Sequence, residues 1–422
     1  MKKLVVLVSI ILVWACKEEP KTPSIADTMQ TYTIEQMMDN EAIGGGSFSP
    51  DKSKLLISSN RSGIYNMYTV PAAGEQMEPL TKSDSTSIFA ISYFPNDERI
   101  LFRMDENGDE IYHIYLRETD GTHTDLSPEE GARANFYGWA KDKKSFFFAS
   151  NKRDARYTDL HEMDIENFSS KMVYKNEDGH FLGGLSDDKK YLPLIKPINT
   201  NDADLYVYSM DDKSIVKIND NQSANGPEDF SPDGTALYYT TDDGSEFAQL
   251  MKYDIASKSK ERVMTRSWDI SGSYFTENGR YQVTYINEDA KNTIEIKEVA
   301  TDKNIPLPTT AGMDISNVSF SDDETLMTFY AGGSHTPSNL YVYNLETKEQ
   351  TQLTDVLNNE IAAQDLVNAE VIRYKSFDGL EIPAIYYKPH QATAEHKVPA
   401  LVWVHGGPGG QSRQRFSSFI QY

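Results

Sequence analysis

Seven segments of one shape recur along the chain at near-constant spacing, and no other feature narrows the possible folds as far. They are Phe48-Ser49-Pro50-Asp51, Phe94-Pro95-Asn96-Asp97, Trp139-Ala140-Lys141-Asp142, Leu185-Ser186-Asp187-Asp188, Phe230-Ser231-Pro232-Asp233, Phe275-Thr276-Glu277-Asn278 and Phe320-Ser321-Asp322-Asp323. Their anchors stand 46, 45, 46, 45, 45 and 45 residues apart. In each repeat an apolar anchor ends a strand, and the Ser/Pro/Asp group reverses the chain, because proline presets φ and aspartate tolerates turn geometry. A short apolar strand follows, as at residues 55–58, 146–149 and 237–240, and then a polar loop such as Asn60-Arg61-Ser62-Gly63. The third strand alternates with period two, as in Leu205-Tyr206-Val207-Tyr208 and Leu340-Tyr341-Val342-Tyr343. A last strand ends at Leu80-Thr81 or Leu353-Thr354. Four short strands in about 45 residues make one propeller blade, and seven blades closed into a ring leave no exposed sheet edge. The expected fold is an all-β seven-bladed β-propeller over residues 47–355.

Composition agrees. Of 422 residues, 39% are hydrophobic and 25% charged, which suits a soluble body with a sizeable core. The 25 Tyr and 18 Phe favour strands. A formal net charge of −23, without a basic patch, argues against nucleic acid as a partner.

The N-terminus reads as an address. Lys2 and Lys3 precede an apolar stretch over residues 4–14, shorter than the roughly 20 residues a membrane-crossing helix needs. Residues 1–15 are expected to be a lipoprotein signal peptide, because Val13-Trp14-Ala15-Cys16 resembles a lipobox and Cys16 is the single cysteine. The competing reading is an ordinary signal with an incidental cysteine. Residues 16–31 read as a polar tether carrying Lys17-Glu18-Glu19, Pro20 and Pro23. The expected product is an exported lipoprotein, anchored through lipidated Cys16 to a membrane in the periplasm or at the outer-membrane surface. Residues 32–46 form a lead-in, with a capping box from Thr33 to Gln36 opening a short helix outside the blades.

Within the ring, Arg153 and Arg156 cluster with Asn151, Asp154 and Asp159 in one polar loop. They are candidates for binding substrate at the mouth of the ring, although a salt-bridged turn is the favoured reading. Glu246 is a third candidate, since an inward carboxylate could capture a peptide amine. Glu110 and His113 fall three apart in a strand-like segment and point to opposite faces, so no metal is expected there.

The pattern changes after Thr354. Residues 355–369 are polar and helix- or linker-like; then Val371-Ile372-Arg373-Tyr374-Lys375-Ser376-Phe377 reads as a strand, and Asp378-Gly379 as a hairpin turn into a second strand over 382–387. The run Pro399-Ala400-Leu401-Val402-Trp403-Val404 suits a buried parallel strand and leads into His405-Gly406-Gly407-Pro408-Gly409-Gly410. An apolar strand entering His-Gly-Gly is the oxyanion-loop arrangement of α/β-hydrolases. Glycines there let backbone N–H groups approach developing negative charge.

With the seven repeats, Tyr374-Lys375-Ser376-Phe377-Asp378-Gly379 and the 401–410 strand and loop, the chain resembles the prolyl oligopeptidase family of serine peptidases, nearest its acylaminoacyl-peptidase and dipeptidyl-peptidase-like branch. The resemblance runs from about Tyr32 to Tyr422. It implies a propeller that sits over the active site and limits entry to peptides, with Gly407 and neighbouring Gly406 supplying a backbone N–H of the oxyanion hole. His405 is then structural. No cofactor is implied, peptides and a membrane are the implied partners, and oligomeric state is left open.

No Gly-x-Ser-x-Gly occurs; Gly45-Gly46-Ser47-Phe48-Ser49 and Gly332-Gly333-Ser334-His335-Thr336 both lack the closing glycine. The expectation for residues 356–422 is a linker and the truncated start of an α/β-hydrolase domain, with the Ser/Asp/His triad beyond residue 422 and the fragment inactive by itself. The alternative is a surface-tethered propeller that binds a partner and catalyses nothing.

Overall fold

The computed structural model describes residues 30–74, 76–407 and 409–422, so the expected signal peptide, Cys16 and most of the tether lie outside it. Each repeat forms one antiparallel four-stranded sheet whose strands are consecutive in the sequence, giving seven blades. Blade 1 consists of Ile43–Phe48, Lys54–Ser59, Asn66–Pro71 and Glu78–Pro79. Blade 7 consists of Asp314–Phe320, Leu326–Gly333, Thr336–Asn344 and Gln350–Gln352. The ring thus starts at Ile43 rather than at 47. The stretch Gly44-Gly45-Gly46 looks like a loop, yet it is strand with a bulge between Gly45 and Ser47, at φ values of 94° and 130° for Gly45 and Gly46 that glycine tolerates.

The repeated anchors do what their chemistry dictates. Phe48, Phe94, Trp139, Phe230, Phe275 and Phe320 each end the first strand of a blade, while Leu185 stands just beyond the short strand Phe181–Leu182. In the turn that follows, the serine hydroxyl donates to the aspartate: Ser49 to Asp51 at 2.6 Å, Ser186 to Asp188 at 2.7 Å, Ser231 to Asp233 at 2.6 Å and Ser321 to Asp323 at 2.8 Å. The same serine oxygen accepts the backbone N–H that opens the next strand, as from Lys54 and Leu326. Local side-chain bonding of this kind offers the backbone a turn in place of a continued ladder.

The core lies between blades. A strand's side chains alternate in direction, so each middle strand feeds two interfaces. Leu55 and Ile57 pack against Tyr330, Leu340 and Val342 of blade 7, whereas Leu56 packs against Tyr93, Ile100 and Phe102 of blade 2. The remaining seams repeat the scheme, from Phe94, Leu101, Phe146 and Phe148 between blades 2 and 3 to Val283, Ile296, Met327 and Phe329 between blades 6 and 7. The seam between blades 5 and 6 has the smallest apolar cluster, Leu250, Met264 and Ile270. There the backbone N–H groups of Ser273 and Phe275 donate to the Glu228 and Asp229 carboxylates of the preceding blade, at 2.9 and 2.7 Å.

No strand is shared between the first and last blades. Closure rests on the apolar seam just described, on the Tyr330 hydroxyl donating to the Gly45 carbonyl at 3.0 Å, and on an ion pair between Lys52 and Asp323. The entry and exit of the ring are joined as well: the Glu41 N–H donates to the Val356 carbonyl at 3.0 Å. Helix α1 (Ile34–Met38) has the expected capping box, with the Thr33 hydroxyl accepting from Gln36 N–H at 3.2 Å and the Gln36 side chain accepting from Thr33 N–H at 2.9 Å. It buries Met37 against Ile361, Leu366 and Phe416 outside the blades.

The two mouths of the ring differ. On the far mouth, lined by the turns between first and second strands, Lys141 of blade 3 reaches Asp187 of blade 4 at 3.3 Å and Glu277 of blade 6 at 3.5 Å. Lys143 pairs with Asp322 of blade 7. These lysines span the opening. The near mouth carries the loops between second and third strands, and it faces the C-terminal segment.

Candidate functional site

The C-terminal segment begins with a 3-10 turn at Ala363–Asp365 and the hairpin Ala369–Lys375 with Glu381–Tyr387, paired from Ala369↔Tyr387 to Lys375↔Glu381. The turn joining its strands is held by Asp378, which accepts the Leu380 N–H at 3.1 Å, with Gly379 at φ 88°. The expected strand at 399–404 does not form. Residues 401–404 pair with no strand among the described residues, and Leu401, Val402, Trp403 and Val404 are 79%, 82%, 67% and 82% exposed. A buried parallel strand needs a ladder on its edges and cover on its faces. The hairpin offers this run neither; Trp403 meets the Phe419 ring at 5.9 Å between centroids.

The glycine loop is nevertheless tightly folded. A Cβ on Gly407 would stand 2.7 Å from the amide nitrogens of both Gly409 and Gly410, and one on Gly410 would stand 2.3 Å from the Gly406 carbonyl oxygen. Glycine is therefore required at 407 and 410, whereas Gly406 has open space around it. The His405 ring lies over its own loop, with Nδ1 at 2.9 Å from the Gly406 oxygen. The loop is thus closed on itself so tightly that only glycine fits at 407 and 410.

The loop is seated on the near mouth. Gly409 lies against Thr200 and Asn201, in the loop between second and third strands of blade 4. Beyond it, Asn287 of blade 6 donates to Gln411 at 2.8 Å, Gln414 N–H donates to the Ala290 carbonyl at 2.9 Å, and Arg413 bonds Asn292. Arg373 of the hairpin pairs with Asp289 at 2.7 Å.

The candidates inside the ring occupy this same face, on corresponding loops of blades 3 and 5. Arg153 is committed to structure: its guanidinium grips the fully buried Asp159 carboxylate at 2.7 and 2.8 Å and the Asn176 carbonyl at 2.7 Å. Arg156 forks onto Asp154 at 3.0 and 2.8 Å, holding that carboxyl down at about 2, and leans on the Tyr157 ring. Glu246 is exposed. His113 bonds Asp125 at 2.7 Å, while Glu110 lies outside the strand His113–Arg117, at φ 60°.

A cavity of about 390 Å³ opens at this mouth against the first strands of blades 1, 2 and 3, lined by Tyr65, Phe89, Arg103, Asn135 and Phe136 among others. Sequence reasoning passed over Arg103. The signal available was an arginine ending the apolar run Ile100-Leu101-Phe102, where other blades place Ser58, Ala149 or Thr240.

Comparison with known proteins agrees with this architecture. The family described as prolyl oligopeptidase, N-terminal beta-propeller domain, matches residues 78–356. Dipeptidyl aminopeptidase BIII of Pseudoxanthomonas mexicana is 23% identical over 426 residues, spanning 95% of this chain and 60% of that protein. Among solved structures, prolyl oligopeptidase B from Galerina marginata, bound to a 25mer macrocyclization substrate, superposes with a TM-score of 0.70 at 16% identity, covering 92% of this chain and 60% of that one. One from a study of two prolyl endopeptidases superposes with a TM-score of 0.64 at 16% identity, covering 83% of this chain and 55% of that one. The chain thus spans about 60% of the length of the curated relative it matches. With a ring of seven contiguous blades, a glycine loop on its near mouth and a family match across most of the blades, the chain belongs to the prolyl oligopeptidase family.

Proposed function

We propose that the chain is the propeller-bearing portion of a serine peptidase that hydrolyses oligopeptide, dipeptidyl or acylaminoacyl bonds, with the ring gating access. The observation that carries this reading is the seating of the 405–410 glycine loop on the near mouth, through Gly409 on Thr200 and Asn201 and through Gln411 on Asn287. In this reading Gly406 and Gly407 present backbone N–H groups to the oxyanion of a tetrahedral intermediate. The nucleophile, its base and the orienting carboxylate come from outside these 422 residues, which hold no Gly-x-Ser-x-Gly. The ring's part is steric: a folded protein cannot pass a channel whose far mouth Lys141 and Lys143 span, whereas a short peptide can approach the near mouth.

Aminoacyl-nitroanilides test the reading. The 422-residue chain should release no nitroaniline. A chain extended through any continuing reading frame that encodes Gly-x-Ser-x-Gly, Asp and His should release it. Turnover by the short chain, or none by the extended one with its serine intact, would sink the proposal. The same protein is proposed to be exported and lipid-anchored through Cys16, supported by the lipobox-like Val13-Trp14-Ala15-Cys16. Cells grown with radioactive palmitate should label it, and Cys16→Ser should abolish the label; an unlabelled wild-type protein removes the anchor.

A further inference from the structure

The cavity at the near mouth carries a charge that the rest of the molecule does not lead one to expect. Of the residues that line it, Arg103 alone is charged, on a chain whose formal net charge is −23. Its guanidinium lies over the Phe89 ring at 5.4 Å and the Tyr112 ring at 5.2 Å. Phe89 in turn packs against Tyr65 at 4.9 Å and Tyr112 at 6.1 Å between centroids. The side chain is exposed and makes no ion pair or hydrogen bond among the described residues. Arg99, on the same strand, shows the contrast, since Asp97 takes its fork at 2.9 Å.

A planar cation seated against two adjoining aromatic rings loses little further freedom when it binds, and its N–H edge stays open. The partner that matches this edge is a carboxylate, which accepts two parallel N–H bonds. Asn135 and Tyr65 also line the cavity, and they carry an amide and a hydroxyl of the kind that can complete the shell of a bound anion.

We propose that Arg103, with Phe89 and Tyr112, forms a subsite for a carboxylate of the peptide substrate, either its free C-terminus or an Asp or Glu side chain. The proposal rests on the peptidase reading for its choice of peptides. The cavity opens on the face that seats the glycine loop, so a peptide held there by its carboxylate extends toward that loop.

Calorimetric titration of the 422-residue chain tests the subsite without any turnover. The probes are tetra-alanine with a free C-terminus, its C-terminal amide, and the amide of Ala-Ala-Glu-Ala. The wild type is expected to bind at least one carboxylate-bearing peptide about tenfold more tightly than the neutral amide, a difference typical of one charge-assisted fork. Arg103→Gln should remove the preference, and Arg103→Lys, which keeps the charge but not the planar fork, should retain only part of it. Preference for the free acid identifies the C-terminus, and preference for the Glu amide identifies a side chain. Equal binding of all three peptides to the wild type, no binding of any, or an unchanged preference in a folded Arg103→Gln variant overturns the subsite. Hydrolysis by the extended chain is scored separately, so a failed subsite and a failed peptidase reading give different results.

Discussion

Neighbouring residues in blade 3 are both shifted to lower pKa, for opposite reasons: one lies among rings and the other among cations. His161 is 2% exposed and stacks on Phe148 at 5.0 Å, and burial, helped by Lys152, pushes its imidazole from 6.5 down to about 4. The unfolded chain takes up this proton near 6.5 and the folded ring only near 4, so stability falls as pH drops through that window. His161→Leu should flatten the fall, sparing on the order of 2 kcal/mol at the acid end. Thermal melts at the two ends of the window check it, and an unchanged slope in the variant would clear His161 of the effect. Burial alone would push Glu162 up, but hydrogen bonds from Lys189, Ser145 and Lys171 outweigh it and hold the carboxyl at about 2. Its contribution is present above 4.5 and is lost only as pH falls toward 2, below the histidine window. Neither environment was legible in the sequence, where His161-Glu162 is only a polar pair in an alternating strand. Arg103 escaped for the same reason, since its meaning comes from Phe89 and Tyr112, which other strands bring to it.

At the scale of the element, the repeats were legible because each anchor couples an apolar residue that ends a strand to a turn that forms locally. The capping box of α1 and the Asp378-Gly379 hairpin were legible on the same grounds. The run at 401–404 was not, because its apolar residues record a demand for neighbours, and a strand exists only where a ladder is supplied. The seam between blades 7 and 1 offers a direct test of closure. Tyr330→Phe removes the buried hydroxyl that donates to the Gly45 carbonyl across the seam and should cost about 1 kcal/mol. Tyr274→Phe, which removes the 2.6 Å bond to the Val318 carbonyl within the ring, is the matched control with a similar cost. Amide hydrogen exchange should rise in blades 1 and 7 together for Tyr330→Phe but not for Tyr274→Phe. Identical exchange maps would mean that the closing seam is no weaker than the rest.

Across the whole molecule, stability and access are assigned to different parts. The apolar seams between blades hold the ring, and the charged side chains of Lys141 and Lys143 close its far mouth. Replacing both lysines by alanine should shift the melting free energy by less than about 1 kcal/mol, since exposed pairs contribute little. The same change should speed exchange in the facing turns at 276–279 and 321–324. A large drop in melting temperature without faster exchange there would mean that the lysines brace the ring rather than span its opening.

The join between Glu41 and Val356 has a further consequence. Because every blade is built from consecutive strands and the ring's two ends leave side by side, the propeller is a cassette mounted on one doorstep. Whatever is attached beyond residue 356 leaves the ring where the ring also begins. The loops of the near mouth, with Asn287, Asp289 and Asn292 among them, give that attachment its second hold on the ring.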